Sequence, residues 1–154
     1  MVAAREFLQF TPEQYLKWEA QQELRYEYIE GEVYAMAGGT LAHADLAFNF
    51  ASSLRSQLQG RCKVRLSDAK VGMSDEGPFT YPDVSVTCDD RDRTAQKFAR
   101  YPCLIAEVLS PGTEAYDRGG KFALYRRLDS LQEYVLMGSQ VKSVEVFRRS
   151  DRGV

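Results

Sequence analysis

The sequence predicts a single α/β (α+β) domain in which helices flank a mixed central β-sheet. The first observation is that helical periodicity and strand alternation both occur, in separate segments of the chain. The second is that residues 103–109 are apolar on both strand faces except at Glu107, a pattern typical of a strand at the centre of a sheet. The third is size, because 154 residues with 44% hydrophobic and 27% charged side chains suffice for one domain with a core. We therefore expect residues 1–154 to form one domain.

Three helices are predicted from caps and apolar spacing. The run 11–14, Thr-Pro-Glu-Gln, places an N-cap, a proline in the first turn and a capping-box glutamine in order. Across 41–58 apolar residues recur every four positions, and Gly60 ends that helix. A third helix is expected over about 116–128. The positions expected to face the core are Leu46, Phe50, Leu54, Leu58, Phe122 and Tyr125.

Strands are predicted from two-residue alternation. Aromatic and β-branched residues on both sides of Gly31 indicate a β-hairpin over 25–36. Residues 83–88 alternate cleanly, with Val84 and Val86 on the face opposite Asp83. Further strands are predicted at 64–66, 103–109, 133–137 and 143–148, a turn or loop over 72–82, and a charged, mobile loop over 89–100.

The cysteines argue against a disulfide framework and against structural zinc. Cys62, Cys88 and Cys103 are odd in number, widely spaced and without a C-x-x-C pair. The single histidine, His43, leaves too few ligands for a His-rich zinc centre. We predict that the cysteines are small buried hydrophobes in a protein of the reducing cytoplasm.

Targeting signals are not found in the sequence. No run of about 18 apolar residues occurs, so a membrane-spanning helix is not expected. Residues 1–10 carry neither the apolar region nor the small-residue cleavage site of a secretory signal. We therefore expect no membrane partner and a cytoplasmic location.

Charge is unevenly divided along the chain. Residues 1–90 hold 8 Lys and Arg against 14 Asp and Glu, a net of −6, whereas residues 91–154 hold 12 against 8, a net of +4. A positive half beside an acidic one is compatible with a metal site next to a phosphate-binding surface. Ordinary surface charge would give the same division.

Glu107 is the residue that most needs an explanation. An ionised carboxylate in a buried strand is costly unless it is paired with a cation or binds a metal. Its neighbours in the strand are apolar, from Leu104 to Leu109. A structural ion pair and a metal-ligand role both satisfy this requirement.

Asp83 and Lys121 favour the metal-ligand interpretation. Asp83 follows Pro82 at a strand entry 24 residues before Glu107, which allows the two carboxylates to meet at one sheet edge if their strands are adjacent. Mg²⁺ or Mn²⁺ would accept two carboxylates plus substrate phosphate and water. Lys121 lies 14 residues after Glu107, early in the next helix, where an ammonium could neutralise phosphate charge. Alternatively, Asp83 belongs to an ordinary turn and Lys121 to the solvated surface.

Five segments together resemble the Uma family of putative restriction endonucleases, within the PD-(D/E)xK nuclease superfamily. The resemblance runs in a consistent order from Thr11 to about Arg149. The segments are Tyr28-Ile-Glu-Gly-Glu-Val-Tyr34, Tyr81-Pro-Asp-Val84, Ile105-Ala-Glu-Val-Leu-Ser-Pro111, Tyr116-Asp-Arg118 with Lys121 and Tyr125, and Leu131-Gln-Glu-Tyr-Val135.

The resemblance implies a restriction-endonuclease-like sheet and Mg²⁺-dependent hydrolysis of phosphodiester bonds, with DNA as the expected partner and substrate. Pro82-Asp83 matches the PD of the superfamily motif, and Glu107 matches its second acid. The motif lysine would fall at Leu109, so the resemblance implies that Lys121 on the following helix replaces it. A nuclease-fold module that binds nucleic acid or a protein partner without cutting is the alternative.

Three further residues are accessory candidates. Glu27 matches the extra acid of many superfamily nucleases, or is a surface strand residue. His43 at a helix start is a candidate general base, or makes a local hydrogen bond. Asp68 interrupts the apolar strand face of Val64 and Leu66 and could line the site.

A homodimer is the expected assembly. Members of the resembled family usually continue for a few dozen residues with more strands, so the end at Val154 suggests a C-terminally truncated member. Missing strands would leave a sheet edge exposed, and an exposed edge favours pairing with another chain.

Overall fold

A computed structural model describes the backbone of residues 5–6 and residues 9–36 and 38–150 in full. In chain order the strands are β1 (Arg5–Glu6), β2 (Tyr26–Ile29), β3 (Glu32–Ala35), β4 (Lys63–Leu66), β5 (Val71–Gly72), β6 (Phe79–Thr80), β7 (Val84–Thr87), β8 (Leu104–Leu109), β9 (Glu133–Gly138) and β10 (Val144–Arg148). The helices are α1 (Pro12–Glu19), α2 (Leu41–Leu58), α3 (Asp90–Arg93), α4 (Glu114–Arg118) and α5 (Gly120–Tyr125). The predicted mixed α and β composition is confirmed.

The described residues form two five-stranded sheets. The larger sheet, which has the longer strands, has the order β10-β9-β8-β7-β4, with β8 in the middle. Strand β8 runs parallel to β9 and antiparallel to β7, which confirms both the mixed sheet and its predicted central strand. Ala106 and Val108 face a core layer that includes Ala47 and Ala51 of α2. Ile105 faces the opposite layer, which contains residues of α5. Because strand side chains alternate, Glu107 points to the α5 side.

The smaller sheet has the order β1-β3-β2-β6-β5 and packs against α1. The predicted hairpin forms its centre, and the turn places Glu30 at φ 52° and Gly31 at φ 86°. Helix α1 begins with the predicted capping box at Thr11 and buries Tyr15. The prediction of a turn or loop over 72–82 misses β5 and β6, because strands of two residues are too short to alternate.

Helix α2 has the predicted bounds. The Thr40 hydroxyl caps its start, and Gln59 ends it in the left-handed conformation at φ 51°. Leu46, Phe50 and Leu54 pack partly buried on the sheet. In the described ranges, no helix is both long and apolar enough to cross a membrane.

The predicted helix over 116–128 is two helices, α4 and α5. Gly119 separates them at φ −107° and ψ −86°, outside helical geometry. Two consecutive glycines explain the break, since glycine has the lowest helix propensity after proline. Phe122 and Tyr125 are buried as predicted.

The charged segment 89–100 is fixed by a buried aspartate, so the prediction of a mobile loop is wrong. Asp92 is 1% exposed and is the buried residue of α3. Its carboxylate accepts hydrogen bonds from the Thr87 hydroxyl at 2.7 Å and from the backbone N–H groups of Arg100 and Tyr101 at 2.8 Å each. One carboxylate thereby ties the segment to β7.

Asp92→Ala should lower the free energy of unfolding by about 3 kcal/mol, because a lost acceptor costs about 1–3 kcal/mol for each stranded buried donor. Urea unfolding followed by circular dichroism measures the change. Asp90→Ala on the same helix is the control, since the Asp90 side chain is 98% exposed and should cause no comparable loss. Equal stability of the two variants would contradict the assigned role of Asp92.

The cysteine prediction is wrong in two respects. Cys62 and Cys88 form a disulfide, because they adjoin the paired strands β4 and β7, where Lys63 lies opposite Thr87. None of the three cysteines is buried, and the free thiol of Cys103 lies 3.8 Å from the Cys88 sulfur. Spacing along the chain could not show which strands are neighbours.

Candidate active site

A cleft of about 550 Å³ opens where β7 begins, β8 ends and helices α2 and α5 begin. Antiparallel pairing of β7 with β8, which sets Val84 opposite Ala106, brings these ends together. Among the described residues, the carboxyl, imidazole and amino side chains that line the cleft are those of His43, Asp83, Glu107, Asp117 and Lys121.

Asp83 and Glu107 hold one another in place through the backbone. The N–H of Asp83 donates to Oε1 of Glu107 at 2.9 Å. The N–H of Val108 donates to Oδ2 of Asp83 at 2.8 Å. These two reciprocal hydrogen bonds place the two carboxylates side by side near the start of β7 and the end of β8.

Lys121 lies between two buried carboxylates. Its Nζ is 2.7 Å from Oε2 of Glu107 and 3.4 Å from Oε2 of Glu27, and the residue is 2% exposed. Burial by itself lowers the pKa of a lysine, but the surrounding acidic groups, led by Glu107 and Glu27, together outweigh burial and raise the pKa of Lys121 well above its ordinary value. Lys121 is therefore a buried cation.

Glu107 is only 3% exposed. Burial raises the pKa of this carboxyl well above its ordinary value, while the neighbouring Lys121 ammonium lowers it and Asp83 raises it further. A positive charge that reaches the cleft would therefore stabilise ionised Glu107.

Glu27 is fully buried behind Lys121, which excludes its interpretation as a surface residue. Its Oε2 atom accepts the backbone N–H of Tyr81 at 2.7 Å. Its Oε1 atom is buried without a hydrogen-bond partner among the described residues. Glu27 does not line the cleft, and it contacts the site through Lys121.

His43 joins the site from the first turn of α2. Its backbone N–H donates to the capping hydroxyl of Thr40 at 3.2 Å, which is the expected local bond. Its imidazole ring also contacts the site, because Nε2 lies 3.2 Å from Oδ2 of Asp83. The hydrogen bond to Asp83 raises the pKa of His43, and partial burial opposes that shift.

Asp68 lies outside the site. Strand β4 ends at Leu66, so Asp68 falls in an exposed turn and not on the strand face that the sequence suggested. It lines a different cavity, together with Glu19 and Lys70.

Asp117 is the site residue that sequence reasoning missed. It is 3% exposed, lines the cleft and precedes Lys121 by four residues. Burial raises the pKa of its carboxyl, and the Lys121 ammonium lowers it. The available signal was its place in Tyr116-Asp-Arg118, one of the five segments that resemble the family. An acidic residue at such a position is also typical of the exposed face of a helix.

The donor set fits a hard divalent cation that keeps several waters. No group of three or more Asp, Glu, His or Cys side chains in the described ranges is arranged to enclose a metal. Asp83 and Glu107 nevertheless share the cleft, and no described residue donates a hydrogen bond to Oδ1 of Asp83. Mg²⁺ binds through one or two carboxylates plus substrate phosphate, so two protein ligands are sufficient.

Charge balance supports the same fit. Four carboxylates, those of Glu27, Asp83, Glu107 and Asp117, surround the site, with Lys121 as the buried ammonium among them. Burial raises the pKa of Glu107 and of Asp117, so the ionised forms of these two carboxyls are costly without further positive charge. A bound cation would offset this cost.

Two proteins of Synechocystis sp. are similar to this chain over most of its length. One, "Uncharacterized protein slr1290", is 43% identical over 148 residues, which cover 96% of this chain and 78% of that protein. The other, "Uncharacterized protein sll1609", is 32% identical over 142 residues, which cover 90% of this chain and 80% of that protein.

A solved structure shares the fold. It is the crystal structure of a "putative nuclease belonging to DUF820" from Anabaena variabilis, with a TM-score of 0.73 at 20% identity, covering 90% of this chain and 79% of that one. The family model Uma2, described as "Putative restriction endonuclease", matches residues 12–154. The chain belongs to the Uma2 family, as the resemblance of its five segments predicts.

Proposed function

We propose that this chain is a nuclease that hydrolyses phosphodiester bonds of DNA with Mg²⁺ or Mn²⁺ as cofactor. The observation that carries the proposal is that partly exposed Asp83 and buried Glu107 and Lys121 line the same open cleft in mutual contact. Membership of a family described as restriction endonucleases supports the same reaction class.

In the proposed mechanism Asp83 and Glu107 would hold the cation. A bound cation would offset the charge of the phosphodiester and lower the pKa of water near it. His43 contacts Asp83 through its Nε2 atom, which keeps that carboxylate oriented. Lys121 adds a fixed positive charge where the transition state gains negative charge.

Glu27 is a positioning residue in this mechanism. Its carboxylate fixes Lys121 from the side away from the cleft and accepts the Tyr81 N–H just before the Pro82-Asp83 segment. It therefore links the lysine to the strand that carries the first acid.

The proposal is tested by incubating the purified chain with plasmid, linear duplex and single-stranded DNA, with Mg²⁺, Mn²⁺ or EDTA. We expect cleavage with either cation and none with EDTA. Binding that weakens with salt but never leads to cleavage would instead support a non-catalytic nucleic-acid-binding module. The burial of Leu109, at the usual position of the motif lysine, favours that second candidate.

A homodimer is part of the proposal. Strand β10 is an edge strand of the larger sheet in the described ranges, and its Val144 and Val146 are 66% and 44% exposed. Apolar residues on an unpaired edge favour pairing with a second copy. Light scattering during size exclusion should give twice the monomer mass, and Val146→Lys should give the monomer mass.

A further inference from the structure

A second cavity of about 260 Å³ adjoins the active-site cleft. The two cavities share several wall residues, including His43 and Asp83. Beyond these, the second cavity is lined by Arg25, Phe48 and Leu66. A polymer bound at the cleft could therefore extend into this space.

Phe48 presents an aromatic ring at the wall of the second cavity. It lies on α2, five residues after His43, and is 61% exposed, and Leu66 beside the same cavity is 38% exposed. Aromatic side chains normally bury their large apolar area, so exposure at the edge of a cleft needs an explanation. A flat apolar group of a ligand would cover this ring.

Arg25 adds a solvent-exposed positive charge at the second cavity. Among the described residues no arginine lines the first cleft, and its lysine, Lys121, is held by carboxylates. Arg25 is exposed, and its guanidinium lies 5.8 Å from the centre of the Tyr81 ring and forms none of the ion pairs between described residues. A guanidinium in this setting is suited to a phosphate group.

Building on the proposed nuclease function, we propose that the second cavity binds the nucleotide next to the cleaved phosphate. The base stacks on Phe48 and the flanking phosphate contacts Arg25. The faces of paired bases are covered by their neighbours in a duplex, so a base reaches Phe48 only if it is unpaired or turned out of the stack. The preferred substrate is therefore single-stranded DNA or a duplex with an unpaired segment.

The test measures binding without cleavage. A short single-stranded DNA carrying 2-aminopurine and its fully paired duplex are titrated with the chain in EDTA, and fluorescence quenching reports stacking. We expect tighter binding of the single strand, with quenching. Phe48→Leu should weaken that binding by about tenfold and abolish quenching, because base–aromatic stacking contributes about 1–3 kcal/mol per base.

Matched variants separate stacking from general damage. Phe48→Trp keeps an aromatic ring and should retain binding. Leu41→Ala removes an exposed apolar side chain of the same helix that does not line the cavity, and it should leave binding of the single strand unchanged. Arg25→Gln should reduce the salt slope by about 0.7, as expected for one phosphate contact to a single strand. Arg55→Gln, exposed on α2 away from both cavities, should leave that slope unchanged.

The outcomes distinguish this inference from the proposed function. Equal binding by Phe48→Leu and the natural chain, no binding of the single strand, or a preference for the duplex would overturn the inference. Cation-dependent DNA cleavage would still support the nuclease proposal in each of those cases. Phe48-dependent binding without any cleavage would instead support the second cavity as a base-binding site and contradict the nuclease proposal.

Discussion

Asp83→Asn is expected to reduce the rate of DNA cleavage by at least about a hundredfold, the order of magnitude for removing one charge-stabilising group from an active site. Asparagine keeps the size of the side chain and an oxygen that accepts the Val108 N–H, so the β7–β8 contact survives. What it removes is the negative charge that would hold the cation. Initial rates on a fluorescent DNA substrate in Mg²⁺ measure the loss.

Glu107→Gln should reduce the cleavage rate by the same order, because it removes the second negative charge that would hold the cation. The fold should survive, since the glutamine amide oxygen can still accept the Asp83 N–H. Asp68→Asn is the matched control, because Asp68 is an exposed acid that does not line the cleft. Circular dichroism of each variant shows whether it is folded. A folded Asp83→Asn or Glu107→Gln chain that cuts at the natural rate would remove these residues from the mechanism.

Lys121→Met is expected to lower the free energy of unfolding by about 3–5 kcal/mol, the usual cost of removing one partner from a buried ion pair. Methionine fills similar volume, so lost packing contributes little. The cost arises because Glu107 and Glu27, both nearly inaccessible to solvent, lose the ammonium at 2.7 Å and 3.4 Å. Urea unfolding with EDTA present measures this loss without cation binding.

Two further variants test that explanation. Lys17→Met removes a lysine 3.1 Å from Glu13 whose side chains are 77% and 79% exposed, and should leave stability unchanged. The double variant Glu27→Gln with Lys121→Met should recover part of the loss, because one stranded carboxylate is neutralised. A Lys121→Met chain as stable as the natural one would contradict the buried position of Lys121.

Much of the larger sheet could be predicted because its signals are local. The two-sided apolar pattern of 104–109 reports burial on both faces, and the four-residue spacing of 41–58 reports one buried helix face. The break at Gly119 has a local signal in its two adjacent glycines, whereas the disulfide between Cys62 and Cys88 depends on the pairing of the distant strands β4 and β7. No single-sequence pattern carries that information.

The site residues also divide into those with a local sequence signal and those without one. Glu107 could be found because a carboxylate within an apolar strand is anomalous by itself. Glu27 could not be assigned from its segment, since hairpin residues Glu27, Glu30 and Glu32 look equivalent and only Glu27 is fully buried. Asp117 lies in a charged helix and gives no local sign of burial. Asp68 was misplaced because the strand before it ends two residues early.

Calorimetric titration of Mn²⁺ and Mg²⁺, with and without inorganic phosphate, tests the two-carboxylate cation site most directly. The proposed site predicts binding by the natural chain and by Asp68→Asn, and loss of that binding in both Asp83→Asn and Glu107→Gln. Unchanged binding in both of the latter variants, or no binding by the natural chain even with phosphate, would contradict it.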